Sequence, residues 1–554
     1  MKQRITYVVK DPDTFNPDLL QVKKDGARDS FVISRVQAAK EHRITLGLDE
    51  LPSEVRLSTH APTPKECLTH SEKVSAALGQ WHELHIRWAS STPFTSTPPF
   101  TSRVSPGLHV FFTPLQSTLE TALCEQLHAF VDAGAKCTST SESSTKLPVL
   151  SERFSMSASS QYYTYLASVR EIATVLGQRF CKSKGHQDCL ALALSISTAS
   201  YLDIDYDTTR ALVINAGWPS PPDQRGWTET ISQNDSAATV EIGVLNHENN
   251  PDPEDIQFGG FLTVLGQDSK PKPTRFQTPT RHYPLLSPAT TSSSSSSKPL
   301  AHSLTYTTAF QHPTGLHPTL TLSFPAQHLA PPHPTCKLHT HLTLPSYLFI
   351  DKYQFTDPLF LASNHLARLR SLAGATDLEA PDWVVDAWGS AALFEMALPL
   401  PPRPSSSTQA QQNSHSHSHS RSVHNVSIPL HVRYMAAAAN ASHARRPLPW
   451  PVVFWACRAD QGGPKMAANP FDRVHLGYEA LFGPKTRFMH VEPAEDRGEL
   501  VEWIHVPVLD LRGAGWVERV TVGTVLGAFL GLCWVLFGRG GQTVDAKEKR
   551  KKEQ

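Results

Sequence analysis

The segment Val520–Gly538 constrains this chain more than any other. It runs nineteen residues (VTVGTVLGAFLGLCWVLFG) without a charged side chain. A helix against a soluble core is apolar along one stripe, whereas this segment is apolar on every side and approaches the ~20 residues that cross a bilayer. Trp516 and Trp534 lie near its ends, where indole rings favour the membrane interface. The sequence therefore predicts a transmembrane helix over residues 516–538.

A short basic tail, residues 539–554, follows this segment and carries a net charge of +3. The positive-inside rule places such a tail in the cytosol and the rest of the chain on the other side. The tail ends Lys551-Lys552-Glu553-Gln554, which is similar to the dilysine signal that retrieves single-pass proteins to the endoplasmic reticulum. We expect Lys551 and Lys552 to form that signal.

The beginning of the chain leaves two topologies open. Its first twenty residues contain no apolar stretch of the ~7–15 residues typical of a signal peptide. Either the body crosses the membrane without a cleaved leader, or the protein is tail-anchored with its body in the cytosol. The sequons at Asn234, Asn425 and Asn440 are glycan acceptors only in the lumen, although a Ser-rich chain contains some by chance. We expect a lumenal body with N-glycans at these positions.

The cysteines do not indicate a zinc site, because none of the eight stands in a CxxC pair. One of them, Cys533, lies within the membrane segment. The remaining seven permit disulfides without requiring them. These are Cys67, Cys124, Cys137, Cys181, Cys189, Cys336 and Cys457.

Composition excludes two classes of protein. The chain has 51 Lys and Arg against 51 Asp and Glu and no basic block with interleaved aromatic residues, so it lacks the electrostatic footprint of a nucleic-acid binder. Its 44 prolines and 18% charged residues also argue against a coiled coil or a long-helix bundle. We expect no nucleic-acid partner and a loop-rich, mainly β fold.

The spacing of β-like runs predicts two β-rich, sandwich-like domains with a few helices. Strands are predicted at Ile5–Val9, Phe31–Val36, Ile44–Leu48, Leu84–Trp88, Leu108–Phe112, Leu190–Ala199, Ala211–Ala216 and Thr239–Leu245. Helices are predicted at Leu115–Val131 and Tyr162–Phe180. The predicted organisation is an N-terminal lumenal domain over 1–266, a Pro/Ser-rich linker over 267–299, a second lumenal domain over 300–515 with a disordered loop at 399–422, the membrane helix, and the tail.

The most tempting catalytic candidate is Leu202-Asp-Ile-Asp-Tyr-Asp207. Metal-dependent glycosyltransferases use Asp-x-Asp to hold a divalent cation that bridges the donor diphosphate, since hard cations prefer clustered carboxylates. Strand alternation places Asp203, Asp205 and Asp207 on one face, about 7 Å apart at successive positions. The alternative is a solvated strand face with Leu202, Ile204 and Tyr206 turned to the core.

The other candidates are weaker. His415, His417 and His419 alternate with serine in a Gln/Ser-rich stretch, where adventitious metal binding or plain disorder is the simpler interpretation. The sequence contains no HExxH, GxSxG, P-loop or Gly-rich dinucleotide pattern. We therefore predict no catalytic residue, no cofactor and no metal.

Between Thr319 and Tyr434 the chain resembles a known family. The resemblance rests on Leu320-Thr-Leu-Ser-Phe324, Cys336, Leu344–Phe355 (LPSYLFIDKYQF), Asp377–Trp383 (DLEAPDW), Trp388-Gly-Ser390 and Ile428–Tyr434 (IPLHVRY). This series is similar to the PIG-X-like family and its fungal Pbn members, most specifically over Pro345–Trp388. We interpret Asp377–Trp383 as an acidic turn before buried tryptophans, and weigh a purely structural role for these residues evenly against a partner surface.

The resemblance implies a single-pass protein of the endoplasmic reticulum with a lumenal body. Such proteins are accessory subunits of glycosylphosphatidylinositol (GPI) mannosyltransferase I and stabilise its polytopic catalytic subunit, which adds the first mannose to the anchor precursor. Fungal members are also linked to the folding of other lumenal proteins. Two alternatives remain: a glycosyltransferase using Asp203, Asp205 and Asp207, and a general lumenal chaperone or adaptor.

Overall fold

A computed structural model describes most of the body and the C-terminal helix. The described residues are 1–10, 15–25, 28–47, 80–115, 123–124, 127, 136–149, 158–180, 186–207, 211–233, 238–248, 255–285, 304–378, 380–399, 423–459, 469, 471–496 and 498–538. The His tract at 415–419, the sequon at Asn234 and the retrieval signal at Lys551 and Lys552 lie outside these residues.

Within the described residues the chain is mainly β, which confirms the predicted fold class. The first β unit comprises β1 (Lys2–Val9), β2 (Leu20–Asp25), β3 (Arg28–Val36), β4 (Ala38–Gly47), β5 (Trp81–Ala89), β6 (Gly107–Pro114), β7 (Thr145–Lys146), β8 (Ser160–Thr164), β9 (Tyr201–Asp207), β10 (Ala211–Trp218), β11 (Trp227–Ser232), β12 (Thr239–Glu248), β13 (Asp255–Val264) and β14 (Lys272–Pro279). An eleven-stranded sheet has the order β14-β13-β12-β1-β4-β10-β9-β5-β6-β8-β7, and β11-β3-β2 form a second, smaller sheet.

The second β unit comprises β15 (His282–Tyr283), β16 (Thr305–Phe310), β17 (Thr319–Pro325), β18 (Lys337–Pro345), β19 (Leu348–Phe349), β20 (Leu366–Gly374), β21 (Gly389–Met396), β22 (Val423–Pro429), β23 (His431–Val432), β24 (His443–Pro449), β25 (Val452–Arg458), β26 (Thr486–His490), β27 (Glu492–Pro493) and β28 (Val501–Pro507). Its main sheets have the orders β15-β26-β25-β18-β21-β20 and β22-β17-β16-β27. Strand β17 shows how sequence sets the packing: Leu320, Leu322 and Phe324 alternate with polar residues and are fully buried.

The α-helices in the described parts of the chain are short except at the C-terminus. They are α1 (Thr140–Ser143), α2 (Arg170–Phe180), α3 (His186–Ile196), α4 (Pro358–Ser363) and α5 (Ala514–Cys533), and a π-helical turn, Trp534–Gly538, continues α5. The span Ala514–Phe537 is long and apolar enough to cross a membrane, and none of its residues is buried. The predicted apolar helix is therefore present and begins two residues earlier than expected.

Two local predictions are wrong, both between residues 160 and 199. Residues Ser160–Thr164 form β8 rather than the start of a helix, because the aromatic pair Tyr162-Tyr163 fits a strand; the helix begins only at Arg170. The apolar run from Leu190 belongs to α3 and not to a strand. Periodicity does not separate a buried strand from a buried helix in such a run. Here α3 packs on α2 at Gly177, where an added Cβ would approach Ala193 to 3.2 Å.

The predicted linker is ordered over its first part. Strand β14 pairs with β13 of the first unit, and β15 pairs with β26 of the second. Phe276, within this Pro/Thr-rich stretch, packs on Phe258 with the ring centroids 5.2 Å apart. The composition of the stretch did not reveal its order, because the order depends on this contact with a distant residue. The chain therefore passes from one unit to the other between Pro279 and His282.

The hydrophobic core of the described residues contains two large clusters. One lies within the first unit but includes Trp388 and Ala391 of the second, and the other lies within the second unit. A third cluster contains Ala89 and Val104 of the first unit together with Phe454 of the second. The two units therefore share apolar as well as polar contacts.

Candidate functional sites

The tempting Asp-x-Asp-x-Asp strand lies in the middle of the large sheet, facing a complementary strand. β9 and β5 are antiparallel, so alternate residues meet across the ladder. The resulting neighbours on the polar face are Asp203 with Arg87, Asp205 with His85, and Asp207 with Glu83. Polar residues on this face are covered by a segment of the second unit, residues 471–479.

Asp203 is almost completely buried and is held by two guanidinium groups. Arg473 of the covering segment donates from Nη2 to Oδ1 at 2.7 Å, and the Arg87 Nε lies 3.7 Å from the same oxygen. Arg87 also donates to the main-chain oxygen of Val474 at 2.7 Å. This part of the strand is therefore neither a solvated face nor an open carboxylate. It is an internal ion cluster that joins the two units.

Asp205 lies between an arginine and a histidine. Arg87 Nη2 donates to its Oδ1 at 2.6 Å, and His85 Nδ1 is 2.7 Å from the same atom. Burial raises the pKa of Asp205, but Arg87 and His85 outweigh it and hold that pKa well below its usual range. Burial lowers the pKa of His85, yet its hydrogen bonds to Asp205 and Glu83 leave it raised overall. The cluster thus favours an ionised Asp205 beside a protonated His85.

This geometry argues against a catalytic cation on Asp203 and Asp205. A divalent ion needs open carboxylate oxygens, but here Arg87 and Arg473 already supply the positive charge at the Oδ1 atoms of Asp205 and Asp203, and Asp203 is closed off from solvent. The predicted inward orientation of Leu202, Ile204 and Tyr206 is confirmed, since all three are buried.

A second group of potential ligands lies next to this cluster. Ligand atoms of Glu83, His85 and His475 all lie within 4.8 Å of one another. Both ring nitrogens of His85, however, face carboxylates, with Nε2 3.4 Å from Glu83, so a doubly protonated ring satisfies both contacts and has no lone pair for a metal. The rings of His85 and His475 stack at 3.8 Å instead of converging on one point. We interpret the group as part of the ion cluster.

Sequence reasoning missed this cluster although a signal for it was present. The strand Trp81–Ala89 places Glu83, His85 and Arg87 at alternate positions, as the acids of β9 are placed. Two strands with complementary charges at period two are candidates for cross-strand pairing. The contribution of Arg473 had no comparable signal, because it comes from a loop 270 residues away from Asp203.

The family-like segments of the second unit form a second site. Arg433 is buried, lies 4.3 Å above the ring of Phe349, and donates to the main-chain oxygens of Asp377 and Ala380. The main-chain nitrogen of Asp382 donates to the oxygen of Tyr434 at 2.9 Å. Arg433 therefore fixes the described residues of the loop 375–382, called here the Arg433 loop, against the end of β23.

The tryptophans of this region differ from expectation. Trp383 is 56% exposed and neighbours the exposed Val384 and, through Asp382, the exposed Tyr434. Trp388 is buried as predicted, but in the first unit: its Nε1 donates to the main-chain oxygen of Gln161 at 2.9 Å. The segment thus anchors the two units together with one indole and presents the other to solvent.

Comparison with known proteins identifies the family. The PIG-X / PBN1 family model matches residues 313–537. The protein pbn1 of Emericella nidulans is 40% identical over 561 residues, which cover 98% of this chain and 96% of that protein. The chain belongs to the PIG-X/PBN1 family. The pbn1 of Neurospora crassa is 35% identical over 97% of the chain and 95% of its own length, and the PBN1 of Saccharomyces cerevisiae is 31% identical over 34% and 36%.

Membership in the PIG-X/PBN1 family extends across both β units. The family model covers most of the second unit and the apolar helix, whereas the long fungal alignments include the first unit as well. Both the interunit ion cluster and the Arg433 loop therefore lie within the aligned length.

The structure also describes two of the predicted glycosylation sites and several of the cysteines. Asn425 and Asn440 are exposed, Asn425 on the edge strand β22 and Asn440 in a turn. The structure contains disulfides Cys124–Cys137 and Cys336–Cys457, while Cys533 in the apolar helix is free. These two bonds answer part of the pairing question that the sequence left open.

Proposed function

We propose that this chain is a non-catalytic accessory protein of GPI-anchor biosynthesis. More specifically, it stabilises the polytopic catalytic subunit of GPI mannosyltransferase I, which adds the first mannose to the anchor precursor. The observation that carries the proposal is membership in the PIG-X/PBN1 family over nearly the whole chain. The apolar helix, unburied along its length, supports a location in the same membrane as a polytopic partner.

We also propose that the body lies in the lumen of the endoplasmic reticulum and the basic tail in the cytosol. Disulfides persist in oxidising compartments and are rare in the cytosol, so Cys124–Cys137 and Cys336–Cys457 support the lumenal side. The exposed sequons at Asn425 and Asn440 support it independently. Lys551 and Lys552 would then retrieve the protein from later compartments.

The ion cluster supports the accessory role over an enzyme acting through Asp203, Asp205 and Asp207. A glycosyltransferase cation would have to compete with Arg87 for the partly exposed Asp205 and displace Arg473 from the buried Asp203, which would break a contact that joins the two units. The same cluster has a sufficient structural reason to exist, because it fills the polar part of the interface between the β units.

A deletion experiment distinguishes a loss of the catalytic subunit from a loss of its mannosyl-transfer activity. Deleting the chain should deplete the catalytic subunit and abolish transfer of the first mannose in microsomes. Overexpressing that catalytic subunit in the deleted strain should restore a substantial part of the transfer, because the chain only stabilises it. If partner abundance recovers fully but mannosylation stays absent, the chain takes part in the chemistry and the proposal fails.

Chemical crosslinking addresses the chaperone alternative. An accessory subunit should give one predominant, stoichiometric adduct with a polytopic protein after detergent extraction. A chaperone should give many lumenal clients without a preferred partner. A control with Asp223→Ala, an exposed position outside the sequons, should retain the predominant adduct.

A further inference from the structure

An open cleft in the second β unit is lined by residues that belong neither to the ion cluster nor to the Arg433 loop. It has a volume of about 350 Å³ and is bordered by the start of β18, the end of β25 and the loop 481–486. Its polar lining includes Lys337, Arg370, Arg458 and Lys485. Among the described residues that line it, none is acidic.

Glu395 is an acid that contacts two of the cleft's cations, Lys337 and Arg370, and its charge is shared among several basic groups. It is buried, and its oxygens lie 3.4 Å from Lys337, 2.7 Å from Arg368 and 3.9 Å from Arg370. One carboxylate thus serves three cations. Arg458 and Lys485 are exposed at the rim, and neither forms an ion pair with any residue in the described parts of the chain. The cleft therefore carries a substantial excess of positive charge.

Neighbouring ionisable groups show the effect of this excess. Burial and then Arg368 lower the pKa of Arg370, even though Glu395 acts in the opposite direction. Burial and then Arg370 lower the pKa of His339, on the cleft wall, to about 4. Burial, the larger cause, opposes a charge of either sign, but the second cause in each case is a neighbouring guanidinium, whose repulsion an anion in the cleft would offset.

The walls of the cleft are held in place before any ligand arrives. The Arg370 guanidinium lies 4.7 Å above the ring of Phe482. The Cys336–Cys457 disulfide joins the ends of two walls. Arg281 donates to the main-chain oxygens of Gly483 and Thr486, each at 3.3 Å, which fixes the loop at the rim. Binding would therefore require little reorganisation of the cleft.

We infer that this cleft is an anion-binding site for a phosphate group. Planar guanidinium groups bind phosphate oxygens with two parallel hydrogen bonds, and a cleft with one sign of charge concentrates the opposite ion. Arg458 and Lys485 contact the ligand from the rim, while Arg370 lies at the wall against Phe482. The phosphate is either free in solution or carried by a lipid headgroup.

The experiment uses the full chain in phosphatidylcholine nanodiscs and isothermal titration. The probes are inorganic phosphate and dihexanoylphosphatidic acid, with dihexanoylphosphatidylcholine as the reference without net charge. The test variant is Arg458→Glu with Lys485→Glu. The matched control, Arg225→Glu with Lys270→Glu, makes the same change in net charge at exposed positions of the first unit.

We expect the test variant to lose at least about tenfold in affinity while the control stays close to the unsubstituted protein. Tighter binding of phosphatidic acid than of phosphate assigns the lipid-borne form, and equal binding assigns free phosphate. Arg458→Gln with Lys485→Gln gives the same answer with a smaller charge change, should the Glu variant unfold at lower temperature. Absence of binding by both probes at millimolar concentration, or equal losses in test and control variants, overturns the inference.

Discussion

The Nη2 atom of Arg473 lies 2.7 Å from Oδ1 of Asp203, with both side chains nearly inaccessible to solvent. The pair joins a loop of the second β unit to the centre of the large sheet in the first. A buried pair of this kind stabilises only when complete, because removal of one partner leaves the other charge buried without compensation.

Asp203→Ala should therefore lower the free energy of unfolding by about 3–5 kcal/mol. Thermal and denaturant unfolding of the detergent-solubilised chain measure this loss. Asp223→Ala is the matched control: its ion pair with Arg225 is largely exposed, and it should cost no more than about 1 kcal/mol. Equal stability of the two variants would contradict a joining role for the buried pair.

Two tryptophans five residues apart should behave in opposite ways. Trp388→Ala removes a buried indole from the core of the first unit and should cost about 3–5 kcal/mol in stability. Trp383→Ala removes an exposed indole and should leave unfolding unchanged, yet weaken co-purification with the proposed partner, since exposed aromatic residues dominate many interfaces. A large stability loss in Trp383→Ala, or none in Trp388→Ala, would reverse this assignment.

Acidification should destabilise the body between about pH 6.5 and pH 4. Burial, followed by nearby His109, lowers the pKa of His341 to about 3; burial, followed by Arg473, lowers that of His109 to about 4. Unfolded histidines protonate near pH 6.5, so the unfolded state binds more protons in this window and the free energy of unfolding rises with pH. His341→Gln should flatten the slope by about 1 kcal/mol per pH unit within the window.

The carboxylates change the stability of the body at a lower pH than the histidines do. The contributions of the two kinds of group can therefore be measured separately. Burial raises the pKa of Glu83, but its hydrogen bond to His85 and its other contacts lower it to about 2. Its contribution to stability is present above its unfolded pKa and is lost only as the pH falls from about 4 towards 2. An unchanged slope above pH 4.5 in His341→Gln would show that this histidine is not the group responsible.

Reduction of Cys336–Cys457 should destabilise the second unit. The bond closes a separation of 121 residues, and loss of a native disulfide costs about 2–5 kcal/mol. Cys336→Ser with Cys457→Ser should lower the denaturation midpoint in oxidising buffer and remove part of the effect of dithiothreitol. Cys533→Ser, in the apolar helix, should leave both measurements unchanged.

Glycosylation provides a test of topology. Endoglycosidase should increase the gel mobility of protein made in its native host, and Asn425→Gln and Asn440→Gln should each remove one increment of that shift, because both side chains are exposed. In sealed microsomes the body should resist added protease. No mobility shift together with a protease-sensitive body would place the body in the cytosol.

The sequence predicted features that depend on local patterns. The β-like run Leu108–Phe112 and the apolar run from Val520 predict a strand and a membrane-length helix, and the structure contains both. The apolar run from Leu190 fits either a buried strand or a buried helix, and its packing against Gly177 favours the helix. The candidate Asp strand shows the same limit: its alternation was correct, whereas its chemistry depends on Arg473, whose position follows from the assembly of the two units.

The pairing of β1 with β12 has a consequence for synthesis on the ribosome. Arg4 meets Glu241, 237 residues later, so the centre of the large sheet stays open until that strand emerges. At roughly 5–20 residues per second this takes on the order of tens of seconds, during which β1 and β4 have unpaired edges. Trp388 arrives later still, so the first unit completes its core only after a large part of the second has been made. The nascent chain therefore has a long interval in which protection by other folding factors is most valuable.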